Sequence, residues 1–71
     1  MTNTLELELA LKRARKTKRE FAKYLEISEM ALYNKMHNYA EFKASEILKA
    51  ENFLNLNTTE TKKIFFNPKV I

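Results

Sequence analysis

Residues 17–36 read TKREFAKYLEISEMALYNKM, and their spacing decides the fold. Phe21, Ala22 and Leu25 fall at i, i+1 and i+4, the stripe of a short amphipathic helix. Ile27 follows in a turn, and Leu32 and Met36 recur at i, i+4 on a second helix. Such a pattern builds a corner with one buried seam and leaves the second helix free to project its outer face. Thr17 followed by Glu20 is a capping box that opens the first of these helices, and Ser28 caps the second, which runs to about His37. A projecting helix on a small basic domain is first of all a candidate reader of DNA.

Working outward, the punctuation divides the chain into about five short helices. Thr4 is expected to cap a first helix from about Leu5 to Arg15, with Leu7, Ala10, Leu11 and Ala14 on one face and Glu6 and Glu8 near the positive end of its dipole. Leu5, Leu7, Leu9 and Leu11 also alternate as in a half-buried strand. Leu, Glu, Ala, Lys and Arg are strong helix formers, however, and none is β-branched, which favours helix. After a polar loop from His37 to Glu41, Phe42 anchors a fourth helix over about Ala44 to Asn55. Ile47, Leu48, Ala50 and Leu54 are expected to be buried there, with Glu51 at the edge. Asn57 with Glu60 repeats the capping logic for a last helix through Lys62, Lys63 and Ile64, which Asn67 and Pro68 stop. The apolar end, Phe65 to Ile71, either packs back on the core or meets another chain. The expectation is an all-α compact bundle, one domain over residues 1–71, with the helix-turn-helix at 17–37 and a short apolar tail at 67–71.

Composition narrows the function. With 71 residues there is little room for both a scaffold and an enclosed catalytic pocket, so an enzyme is not expected. Thirteen Lys and Arg against nine Asp and Glu give a net charge of +4, which favours polyanionic partners. The excess is local: Lys12, Arg13, Arg15, Lys16, Lys18, Arg19, Lys23, Lys35 and Lys43 face only Glu20, Glu26, Glu29 and Glu41 in the span 12–43. No cysteine is present and His37 is the one histidine, so neither a disulfide nor a structural metal site is expected, and no cofactor or small-molecule substrate. No apolar run approaches the length of a membrane span, and MTNTLELELA lacks the pattern of an export signal, so a cytoplasmic location is expected. Glycine is missing altogether; tight turns must place Asn, His or Glu at positive φ or avoid it.

Phe21, Ala22, Leu25, Ile27, Ser28 and Leu32 resemble the helix-turn-helix of Cro and CI type phage repressors, the lambda-repressor-like family. The run Leu32 to Met36, followed by Phe42, Ser45, Glu46 and Ile47, is similar to a group of very small phage regulators that often close with a Phe-Phe pair, here Phe65 and Phe66. The resemblance covers roughly residues 17–66. Two departures stand out: Glu26 where many members place Gly in the turn, and Lys18 where many place Gln.

The resemblance implies a repressor of a phage or mobile-element lysis/lysogeny switch in a bacterial host cell. Its third helix would lie in the major groove of operator double-stranded DNA. Glu29, Met30, Tyr33 and Asn34 would face base edges: Asn34 could pair with adenine, Glu29 accept from cytosine, and Met30 touch a thymine methyl. Lys18, Arg19, Asn38, Tyr39 and Lys43 would hold phosphates. One copy reads only a half-site, so a homodimer is expected, with Phe65 to Ile71 as the candidate surface. A second reading comes from side-chain chemistry. The outer face of the third helix has no Arg and only Lys35 as a cation, while Tyr24, Met30, Tyr33, Met36 and Tyr39 concentrate aromatic and thioether groups suited to a protein interface. That alternative is an antirepressor or modulator of repression that binds a partner CI-type repressor through its helix-turn-helix face.

Overall fold

The computed structural model describes residues 1–67, and within them the chain is an all-α bundle of five helices. They are α1 (Thr4–Arg13), α2 (Lys18–Leu25), α3 (Glu29–Met36), α4 (Ala44–Leu54) and α5 (Thr58–Phe65). Residues 4–11 are helical, which settles the strand alternative. Pro68 to Ile71, most of the expected apolar tail, lie outside the described residues.

Helix starts follow the sequence closely. Thr17 Oγ1 accepts from the Glu20 amide at 3.0 Å while the Glu20 carboxylate accepts from the Thr17 amide at 2.9 Å, and Asn57 and Glu60 repeat the exchange at 2.8 and 3.0 Å. Ser28 caps α3 through the Ala31 amide at 3.0 Å. Each bond satisfies an amide that the helix itself leaves without a partner. The first helix departs from expectation. Asn3, not Thr4, is its cap, accepting from the Glu6 amide at 3.2 Å; Thr4 is the first helical residue, and its hydroxyl donates instead to the Met36 carbonyl at the end of α3.

Helix ends solve the glycine problem uniformly. The four positive-φ residues among those described, Arg15, Glu26, Asn38 and Asn55, each follow the end of one of the first four helices. Behind each, the next amide reaches back five residues: Lys16 to the Leu11 carbonyl, Ile27 to Ala22, Tyr39 to Asn34 and Leu56 to Glu51, at 2.8–3.0 Å. This Schellman closure satisfies carbonyls the helix end would otherwise expose, and the bond to Ala22 makes the tight turn of the helix-turn-helix. Glu26, at φ 61 and ψ 40, takes up the left-handed geometry for which many sequences use glycine.

The core is Leu7, Ala10, Leu11, Phe21, Ala22, Leu25, Leu32, Met36, Ile47, Ala50, Leu54, Ile64 and Phe65. Phe21 lies at its centre, stacked on Phe53 at 5.7 Å and tilted to Phe42 at 6.5 Å, and Phe42 meets Phe65 edge-on at 5.1 Å. Helix α2 packs on both α3 and α4, and α5 closes against α1 and α4. Two expectations for α4 are corrected. Leu48 is exposed rather than buried, and Glu46 is buried. Ile47, Ala50 and Leu54 already fill the inward stripe at i, i+3 and i+7, so Leu48, one residue past Ile47, turns away from it.

Candidate functional site

Once α2 and α3 are packed, what faces outward on α3 is set by helical geometry. Leu32 and Met36 point into the core, so Glu29, Met30 and Tyr33 emerge on the other side, with Met30 69% and Tyr33 53% exposed and Asn34 half-buried. The four residues expected to face base edges thus share the outer surface of one two-turn helix. The Tyr33 ring lies 4.3 Å from the His37 ring, which steadies it without covering it.

Met36 does not belong to this surface. It is only 1% exposed, a core residue, which removes it from the interface group; Tyr24, Met30, Tyr33 and Tyr39 remain exposed. Tyr24 additionally rests on Phe53 at 4.6 Å.

Lys35 also departs from the sequence reading, which counted it on the outer face of α3. Its ammonium lies 2.7 Å from the Glu46 carboxylate, the two side chains being only 11% and 8% exposed. The same carboxylate oxygen accepts from the Lys43 amide at 2.8 Å, so Glu46 joins α3 to the first turn of α4. Burial pushes the Glu46 carboxyl up, but the Lys35 hydrogen bond, the Lys43 amide and the two positive charges together outweigh it and hold the group below its usual value. The outer face of α3 is consequently left without a cation. Sequence patterning carries a signal only for the Lys43 half of this arrangement: a Glu at the third position of a helix regularly turns back to the amide before the helix.

The cations assigned to phosphate divide into engaged and available groups. Lys18 pairs with Glu8 at 2.8 Å, and that hydrogen bond, aided by charge, holds Glu8 below the usual carboxylate value. Arg19 pairs loosely with Glu29 at 3.7 Å. Both pairs are exposed and therefore weak, so either cation can be released to a stronger anion. Asn38 is corrected from phosphate ligand to structural tie: its side-chain oxygen accepts from the Thr2 amide and its nitrogen donates to the Thr2 carbonyl, both at 2.9 Å. Tyr39 and Lys43 remain exposed in the α3–α4 connection. Among the described residues, Lys12, Arg15, Lys16, Lys23, Lys43 and, away on α5, Lys62 have no ion-pair partner, although Lys16 lies 5.1 Å over the Phe53 ring. The sequence run Lys12 to Arg19 contained three of these, but only the folded chain separates paired from unpaired charge.

No group of three or more His, Asp or Glu side chains that could hold a metal occurs among the described residues, and no helix there is long and apolar enough to cross a membrane.

An outward two-turn helix, a tight Schellman turn before it and a basic stretch beside it define a class: a small all-α domain built around a helix-turn-helix-like corner. Residues 8–68 match the family described as "Protein of unknown function (DUF739)", and the chain belongs to that family. No curated protein matches it.

Proposed function

We propose that the chain is a sequence-specific DNA-binding regulator, a Cro-like repressor of a phage or mobile-element switch, acting in the bacterial cytoplasm on operator double-stranded DNA. The observation that carries this reading is the outward display of Glu29, Met30, Tyr33 and Asn34 on α3, next to elements that bear unpaired cations. In this reading α3 enters the major groove, and Asn34, whose amide can both accept and donate, pairs with an adenine edge. Arg15, Lys16, Lys23 and Lys43, with Lys18 and Arg19 once released from Glu8 and Glu29, neutralise phosphates, and Tyr39 adds a hydroxyl contact.

The inward-turned Lys35 favours a second reading. A base-reading helix commonly offers Arg or Lys to guanine, whereas this face has a carboxylate, a thioether and a phenol. Exposed Met and Tyr side chains supply contact area suited to another protein, so an antirepressor or modulator that binds a partner CI-type repressor is the alternative.

A gel shift on the intergenic DNA beside the gene, with and without the divergently encoded regulator, separates the two. For an operator binder the protein alone retards that DNA. Lys23→Ala and Lys43→Ala then each lower the slope of log K against log salt by about 1, and Asn34→Ala relaxes preference at one base pair. For a partner binder, Met30→Ala and Tyr33→Ala abolish a complex with the second regulator, while the protein alone shows only weak, salt-sensitive retention. Unchanged DNA binding in all three of the first variants would defeat the operator assignment.

A further inference from the structure

On α4 and α5, in a surface that includes no residue of α2 or α3, the described residues leave an apolar groove of about 520 Å³. Leu48 and Phe66 line it and are 62% and 59% exposed, large values for such side chains, and small Ala44 and Thr58 line it with them. Its charged members are Glu51 and Lys62; neither has an ion-pair partner among the described residues, although one Glu51 carboxylate oxygen accepts from the Thr61 hydroxyl at 2.8 Å. Six of the nine acidic side chains of the chain are in ion pairs, so an acid and a base in one groove whose charges are not met by an opposite charge invite an external match.

We propose that this groove is the contact between two copies of the chain, joined about a two-fold axis. A two-fold interface must be complementary to itself, because the same patch meets its own copy. This groove meets that condition: Leu48 and Phe66 of one copy can enter the space beside Ala44 and Thr58 of the other, and Lys62 of each copy faces Glu51 of its partner. The contact leaves both α3 faces uncovered. Phe66 is the one described exposed residue that it shares with the apolar end from Phe65 to Ile71. The patch is smaller than the roughly 20–30 residues a side of a stable complex, so the association is a weak, reversible one.

Because the contact is between copies, it is measured without DNA, and its failure is separate from any failure of operator binding. Sedimentation equilibrium from micromolar to millimolar concentration should show a reversible exchange between 8.4 kDa and twice that mass. Leu48→Asp and Phe66→Asp should each weaken it at least about 10-fold. Both side chains are exposed in the single copy, so helical circular dichroism should not change. Lys62→Glu and Glu51→Lys should each fail to self-associate, yet pair when mixed, since the mixed dimer restores both opposite-charge contacts. A full chain that stays monomeric to millimolar concentration, or a dimer indifferent to Leu48→Asp, overturns the proposal. So does a chain ended at Asn67 that dimerises when the full chain does not, because the groove would then belong to the chain's own last residues.

Discussion

At the scale of single residues, the price of a glycine-free sequence is concentrated at Arg15 and Glu26. Left-handed geometry costs an L-residue with an ordinary side chain about 1–2 kcal/mol, less for the asparagines at 38 and 55, whose short polar side chains tolerate it. Glu26→Gly should therefore raise stability by about 0.5–1 kcal/mol, the gain being reduced by the greater freedom of glycine in the unfolded chain. Its loss of the exposed 3.7 Å pair with Lys49 is of little consequence. Arg15→Gly should stabilise by a similar amount and, under the operator reading, also weaken DNA retention, because Arg15 has no internal partner to lose. Thermal melts with parallel gel shifts check both, and a fall in melting temperature for either variant would contradict the assignment of strain. Absence of glycine announced in the sequence that some residues must take positive φ. It did not announce Arg15, because the Schellman closure depends on where α1 ends, and that is set by the packing of Leu7, Ala10 and Leu11 rather than by any local breaker.

Between elements, the decisive contact is the Lys35–Glu46 clamp that joins α3 to α4. The capped starts of α2, α3 and α5 were legible because each uses residues three apart in the chain; the clamp was not, since its partners are eleven apart and become neighbours only after two helices have packed. The same limit applies to the candidate site. Glu29, Met30, Tyr33 and Asn34 could be placed on one outward face from helical period alone, whereas the inward turn of Lys35 and the engagement of Asn38 required tertiary contacts. Glu46→Gln keeps an acceptor for the Lys43 amide but leaves a mostly buried ammonium unpaired. Such a loss should cost about 2 kcal/mol, below the full penalty for a sealed pair because Lys35 keeps a path to water. The sign of the pH effect follows from the lowered carboxyl. Its contribution is fully present above the ordinary value of 4.5 and disappears as pH falls through the lower folded value, when the protonated acid no longer holds the ammonium. Denaturant titrations between pH 7 and 3 should find the variant weaker at neutral pH with a shallower decline on the acid side. Parallel curves, with equal acid slopes, would remove Glu46 from that role.

Across the whole molecule, the first residues of the chain tie the end of the outward helix to the end of α5. Asn3 donates its amide to the Ile64 carbonyl at 2.7 Å, Met1 accepts from the Asn67 amide at 3.2 Å, and Thr2 and Thr4 bond to Asn38 and Met36 at the close of α3. Residues 1–4 therefore bridge the C-terminal ends of α3 and α5, two helices whose own packing contacts lie elsewhere: α3 against α2, and α5 against α1 and α4. Orientation of α3 depends on this bridge as well as on the core seam, since Leu32 and Met36 fix its depth but a short helix can still pivot about them. Asn38→Gly isolates the bridge. Glycine accepts the positive φ of 65 without strain, so the backbone turn survives, while both bonds to Thr2 are lost and its mostly buried amide and carbonyl lose their partners. Two such losses should cost about 2 kcal/mol, or roughly 8–16 °C in melting temperature for a domain of this size. Hydrogen exchange should quicken at the Thr2 and Asn3 amides and at the last turn of α3, and remain slow at Phe21 and Leu25 in the seam. Faster exchange throughout the chain at the same denaturant would mean that the bridge only adds global stability; confinement to those two ends would show that it holds α3 in place.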